Sequence, residues 1–159
     1  MQRPVVDDDD AFIVEDLEQG EVQYLFDFVN PCGILIRFDH VLTLTPEFQA
    51  YADQLPAAQP DDSRTSPLPR DFFAAGTPVA TAVGFATTAN TSFDFGVYDL
   101  RAPNIAWQDP EYQSAHQGER EQAAYAVCWF DWLVDDAAAR VRSLPAGDPQ
   151  SGTTSDYCT

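Results

Sequence analysis

The residues that could do chemistry are few. His40 stands directly after Asp39, and a histidine oriented by a carboxylate is the most frequent general acid or base in proteins. In an extended strand, however, neighbouring side chains leave on opposite faces. The pair is therefore not expected to form the oriented hydrogen bond of a catalytic triad, and His40 reads as a turn or solvated histidine. His116 sits in a polar stretch with no cysteine near it. The run Asp7–Asp10 offers carboxylates but lacks the glycine and terminal glutamate of a calcium-binding loop, so only weak, non-specific cation attraction is expected there. Cys32, Cys128 and Cys158 show no metal-ligand spacing, and their odd number argues against a disulfide framework. Neither phosphate-cradling glycine motif occurs, and no nucleophile elbow does. Two-carboxylate chemistry is open to any acidic chain, but no pair is marked out. The chain reads as non-enzymatic, with no cofactor and no metal.

A different set of residues suits binding. Asp94, Asp99, Asp109 and Glu111 flank the segments that carry Phe93, Phe95, Tyr98, Trp107 and Tyr112. Strand alternation sets Asp94 on the face opposite Phe93 and Phe95. Acidic residues interleaved with aromatics are the composition of a hot spot for a basic partner. The candidate partner-binding residues are thus Asp94, Asp99, Trp107, Asp109 and Glu111. An ordinary half-buried sheet with a solvated outer face is the competing reading.

The charge of the whole chain points the same way. Acidic residues number 26 against 8 basic ones, and the formal charge is −18. Every basic residue is an arginine. Nucleic acid and anionic membrane surfaces are held by cationic contacts, so both are disfavoured as direct partners. Basic proteins are the natural partners of such a field, which would steer them in. Acidity also serves solubility alone, as in salt-adapted proteomes, and the two explanations are compatible.

The elements that must position these residues follow from length and pattern. A chain of 159 residues suits a single domain, and the expected organisation is an acidic arm over 1–11, one α+β domain over 12–144 and a polar tail over 145–159. Leu17, Tyr24, Leu25, Phe28 and Val29 fall close to helical spacing and predict a helix over 15–29, ended by Asn30-Pro31-Cys32-Gly33. Ile34–Phe38 and Val41–Leu44 predict two strands joined by a tight turn at Asp39-His40. Thr45-Pro46-Glu47 marks a helix start, with threonine as N-cap, and Phe48, Tyr51, Ala52 and Leu55 share its apolar face. Residues 56–70 read as a surface loop, 77–86 and 93–100 as strands, and 104–108 as a short strand carrying Trp107. Asp109-Pro110-Glu111 begins a turn or short helix. From 121 to 142 the spacing predicts one long helix, apolar on two sides in its first half, with Cys128 as a small core residue. The expected fold is α+β, a small, mostly antiparallel sheet packed by N-terminal and C-terminal helices. No stretch approaches the length of a membrane helix, and no apolar signal segment follows Met1. The chain therefore reads as cytoplasmic, with the sequon at Asn90 unused.

Three segments carry a family resemblance: Phe93-Asp94-Phe95-Gly96-Val97-Tyr98-Asp99-Leu100, Pro103-Asn104-Ile105-Ala106-Trp107-Gln108-Asp109-Pro110-Glu111, and Val127-Cys128-Trp129-Phe130-Asp131-Trp132-Leu133. In order and type they resemble the SUKH superfamily over roughly residues 80–135. There a strand ends in aspartate, an aromatic precedes an acidic turn, and an aromatic helix closes on the sheet. The resemblance implies an α+β fold and, for many bacterial members, an immunity protein that neutralises a toxin of the same cell. The leading functional expectation is an acidic binding protein of that type, acting on a basic toxin or effector domain. Two alternatives stand beside it: a nucleic-acid mimic that blocks a DNA-binding enzyme, and an assembly subunit that self-associates through its C-terminal aromatic helix. A small-ligand enzyme ranks behind them and would need a deep pocket around His40.

Overall fold

The computed structural model describes residues 12–18, 21–56, 64–67, 71–87 and 93–143. The acidic arm, the polar tail and the sequon at Asn90 lie outside them. The chain divides into two compact units, one running to Gly96 and the other beginning at Val97.

The first unit is a twisted antiparallel sheet. Its strands are β1 (Phe12–Glu18), β2 (Glu21–Val29), β3 (Ile34–Leu44), β4 (Arg64–Pro67) and β5 (Ala80–Val83), in the order β4-β1-β2-β3-β5, and β6 (Asp94–Asp99) also pairs with β3. The α+β class with an antiparallel sheet is as expected, but the helix over 15–29 is not there. Those residues form the β1–β2 hairpin, in which Phe12 lies opposite Asp27 and Glu18 opposite Glu21. Only Gln19 and Gly20 separate the strands in sequence. Tyr24, Phe26 and Phe28 repeat every second residue, and their stacked and tilted rings form a ladder with centroid spacings of 6.5 and 6.2 Å. Aromatic and β-branched side chains gain most on a pleated surface, and here that gain outweighs the weaker helical spacing. The 56–70 loop likewise contributes β4, which pairs with β1.

Among the described residues of this unit, one helix covers the core. Helix α1 spans Pro46–Ala52 and starts where Thr45-Pro46-Glu47 predicts. Thr45 makes no side-chain cap; its hydroxyl donates instead to the Pro78 carbonyl (3.0 Å), while its amide donates to the Val79 carbonyl (3.0 Å). The threonine thus joins the helix start to the segment leading into β5. Phe48 and Ala52 on the buried face of α1 meet Phe26, Phe28, Val41, Leu44 and Phe73 to form the core. The Phe48 ring meets Phe26 edge-on at 5.4 Å and stacks on Phe73 at 4.8 Å. On β2, Asp27 is buried, and Arg37 offsets the cost with two charge-assisted bonds, Nε to Oδ1 at 2.8 Å and Nη2 to Oδ2 at 2.7 Å.

The second unit is a set of short helical turns. A 3-10 turn at Ala106–Gln108 precedes α2 (Pro110–Ala115), and another at Gln117–Glu119 leads into α3 (Arg120–Tyr125). A further 3-10 turn, Trp129–Trp132, precedes α4 (Asp135–Arg142). Two expectations fail here. Residues 104–108 are no strand, and the long helix over 121–142 is broken in two places. Between α3 and the Trp129 turn the backbone is drawn off: Tyr98 and Ala126 form a β-bridge, and the Val127 amide donates to the Val97 carbonyl at 3.0 Å. Helix α4 then starts afresh, with Asp135 and Asp136 in its first turn and Arg140 and Arg142 in its last, matching the helix dipole at both ends. Ala123, Ala124 and Ala126 are buried, their small side chains letting backbone segments approach. Among the described residues, no helix is long and apolar enough to cross a membrane.

Candidate functional site

The geometry around His40 departs furthest from the sequence expectation. On β2 a single residue separates Tyr24 from Phe26, whereas their partners Val41 and Phe38 are separated by Asp39 and His40. The extra residue makes β3 a bulged strand rather than two strands and a turn. His40 takes it up with φ 55°, the only positive φ of a non-glycine residue among those described, in the region where histidine is over-represented. Its amide donates to Oδ1 of Asp39 (2.7 Å), and its carbonyl accepts the Gly84 amide (2.7 Å). The bulge cancels the alternation that would have sent Asp39 and His40 to opposite faces.

Asp94 completes the cluster. At the start of β6, Phe93 and Phe95 both pack on Phe38, with centroids at 6.1 and 5.2 Å, so the alternation expected for this strand holds. Oδ2 of Asp94 lies 3.8 Å from Nε2 of His40. One ligand atom from each of Asp39, His40 and Asp94 falls within 4.8 Å of the other two. The three environments differ. The Asp94 side chain is 69% exposed, whereas that of His40 is 21% exposed and its ring leans on Phe85 at 5.0 Å. Burial pushes the Asp39 carboxyl above its ordinary value and the nearby Asp94 charge adds to this, while the His40 amide hydrogen bond, His40 itself and Arg37 oppose it.

The remaining candidates, Asp99, Trp107, Asp109 and Glu111, belong to the second unit. Asp99 is already matched: Arg101 holds it with Nε to Oδ1 at 2.7 Å and Nη2 to Oδ2 at 2.6 Å. Those bonds keep its carboxyl below the usual aspartate range. Asp109 is exposed and acts as N-cap of α2, accepting the Glu111 amide at 2.8 Å. Glu111 is exposed in the same first turn. Trp107 is half-buried, its ring edge-on to Tyr112 at 6.4 Å. Beside it, Ile105 is 66% exposed. The structure therefore places Trp107, Asp109 and Glu111 within one short stretch, with Asp99 engaged by Arg101 and Asp94 beside His40.

Asn104 organises that stretch, a role the sequence alone gave no sign of. Its Nδ2 donates to the carbonyls of Ala123 (2.7 Å) and Ala126 (3.0 Å), and its Oδ1 accepts the Trp107 amide (3.0 Å). Gln113 adds a bond from Nε2 to the Trp107 carbonyl at 2.6 Å. Break of the long helix leaves Trp132 and Val134 exposed, at 62% and 71%. Cys128, read from the sequence as a core thiol, is disulfide-bonded and half-buried, and Cys32 is free and exposed.

No protein-family model matches the chain, and neither a curated protein nor a solved structure matches it.

Proposed function

We propose that the chain is an acidic, non-enzymatic binding protein that docks a basic protein partner on the stretch from Ile105 to Glu111, most specifically as an immunity-type inhibitor of a toxin or effector domain. The observation that carries the reading is the pairing of exposed Asp109 and Glu111 with exposed Ile105 on a turn braced by half-buried Trp107. An exposed apolar residue followed closely in sequence by two exposed carboxylates suits a cationic surface with a hydrophobic centre. The net charge of −18 would speed encounter with such a partner over a range set by salt. Inhibition would be steric and electrostatic, with the carboxylates occupying the groove that binds the toxin's anionic substrate. The immunity-type role is taken from the resemblance to the SUKH superfamily, of which the strand Asp94–Asp99 and the acidic turn at Asp109–Glu111 keep the expected form, while 106–108 and 129–132 are 3-10 turns.

The reading sets the protein in the cytoplasm, where a toxin of the same cell is neutralised. A disulfide at Cys128 is uncommon there, so the thiol state of the protein taken from cells belongs with any localisation experiment. The functional test is capture of partners from source lysate by wild type and by an Asp109→Asn/Glu111→Gln double variant. Asparagine keeps the α2 cap while removing charge. A basic protein retained by wild type and lost by the variant is the expected result; equal retention removes this surface.

A second reading is favoured by one observation, the exposure of Trp132 and Val134. Self-association through that segment would make the protein an assembly subunit. It predicts a mass that rises with concentration in light scattering and falls back to monomer in Trp132→Ser.

A further inference from the structure

We propose that Asp39, His40 and Asp94 form a binding site for a first-row divalent cation, with Zn2+ the best fit, completed by water on the exposed side. The site lies in the first unit and is independent of the partner surface proposed above. One ligand atom from each residue falls within 4.8 Å of the others. A tetrahedral ion with bonds of 2.0–2.2 Å needs its ligands ~3.4 Å apart. The closing movement falls to Asp94, which at 69% exposed is free to change rotamer, while the half-buried Asp39 and His40 stay in place.

The state of His40 argues for a cation rather than for a hydrogen bond within the cluster. Nδ1 of His40 is buried and has no hydrogen-bond partner among the described residues. Nε2 faces Asp94 Oδ2 at 3.8 Å, beyond hydrogen-bond reach. One atom from each of the three side chains thus converges with no hydrogen bond between the His40 ring and Asp94, an arrangement that a bound cation would satisfy. Gln23, 2% exposed, steadies the bulge from the neighbouring strand: its Nε2 donates to the Gly84 carbonyl at 2.9 Å, and the Gly84 amide donates to the His40 carbonyl at 2.7 Å.

The donor set selects the ion. One imidazole and two carboxylates suit Zn2+ or Mn2+, whereas Ca2+ takes six to eight oxygens and Mg2+ keeps most of its waters. The acidic arm at Asp7–Asp10 has no imidazole and would not share this preference.

The experiment is a Zn2+ titration of the full chain followed by nitrogen-15 correlation spectra of the imidazole rings, with Ca2+ and Mg2+ in parallel. The histidines are His40 and His116, so the second serves as an internal control. One equivalent of Zn2+ is expected to move the His40 ring resonances and leave His116 in place, with Ca2+ at least 100-fold weaker. Asp94→Asn, a surface change, is expected to weaken Zn2+ binding at least 10-fold. His40→Asn abolishes it while keeping a residue that tolerates positive φ. Zn2+ binding of equal strength in Asp94→Asn, a shift at His116 instead of His40, or no preference for Zn2+ over Ca2+ overturns the proposal.

Discussion

Phe72 and Phe73 are adjacent, identical in chemistry, and sit in a segment without regular secondary structure, yet Phe72 is 61% exposed and Phe73 only 8%. Phe73 is held in place by packing. Its ring stacks on Phe48 at 4.8 Å and meets Phe28 and Tyr51 edge-on at 6.0 and 5.8 Å. Truncation to alanine removes the transfer free energy of the ring and leaves a void beside α1, which the flanking backbone can only partly fill. Buried phenylalanine-to-alanine changes cost roughly 3–5 kcal/mol. The irregular backbone around Phe73 can relax more than a helix could, which favours the lower end, about 3 kcal/mol. Phe72, 61% exposed, has little burial to lose, and Phe72→Ala is expected within about 0.5 kcal/mol of wild type. Urea unfolding should be read by far-UV circular dichroism, because Trp107, Trp129 and Trp132 all belong to the second unit and would report on the wrong part of the chain. With a urea slope of about 2 kcal/mol/M, Phe73→Ala should lower the midpoint by roughly 1.5 M and Phe72→Ala by almost nothing. Equal shifts, or a larger shift for Phe72→Ala, would refute the placement of this segment over the core.

Other consequences are as direct. Asn104→Ala removes three side-chain hydrogen bonds, those to Ala123, Ala126 and the Trp107 amide, and is expected to cost about 2–3 kcal/mol. It should also shift the near-UV circular dichroism of Trp107; an unchanged spectrum would separate Asn104 from the tryptophan. The Asp99 carboxyl is lowered by its bonds to Arg101, so its contribution to stability is present above the unfolded aspartate value and is lost as pH falls through the lower folded value. Exposure of Arg101 keeps that contribution below about 1 kcal/mol. Carbon-13 titration should show Asp99 ionising below ordinary aspartates in wild type and near them in Arg101→Ala.

The parts of the fold that were legible are those fixed by local chemistry. Thr45-Pro46-Glu47 announces α1, the β-branched run Ile34–Ile36 announces a strand, and Asp109-Pro110-Glu111 announces α2. The misreadings come from competition between local and distant contacts. Leu17, Tyr24, Leu25, Phe28 and Val29 meet helical spacing, but Tyr24, Phe26 and Phe28 meet strand spacing as well. The hairpin of β1 with β2 decides between them. At 121–142 the composition is helical throughout, and the break arises because Val97 and Tyr98 recruit Val127 and Ala126 from elsewhere in the chain. The cluster at His40 was hidden for a subtler reason. Alternation is a rule for regular strands, and one inserted residue reverses it. A polar Asp39-His40 pair between two apolar runs was the available sign of a bulge, though equally a sign of a turn. Of the proposed partner surface, Trp107, Asp109 and Glu111 were readable as an aromatic beside an acidic helix start. Asn104, which braces them, was not, because its hydrogen bonds reach residues 19 and 22 positions away.

The central claim is that the stretch Ile105–Glu111 receives a basic protein. Its most direct test is the association rate of the captured partner with wild type and with Asp109→Asn/Glu111→Gln, measured across ionic strength. The account predicts that the wild-type rate falls steeply with salt, and that the double variant associates several-fold more slowly at low salt with a flatter dependence. Identical rates and identical salt slopes in the two proteins would contradict it.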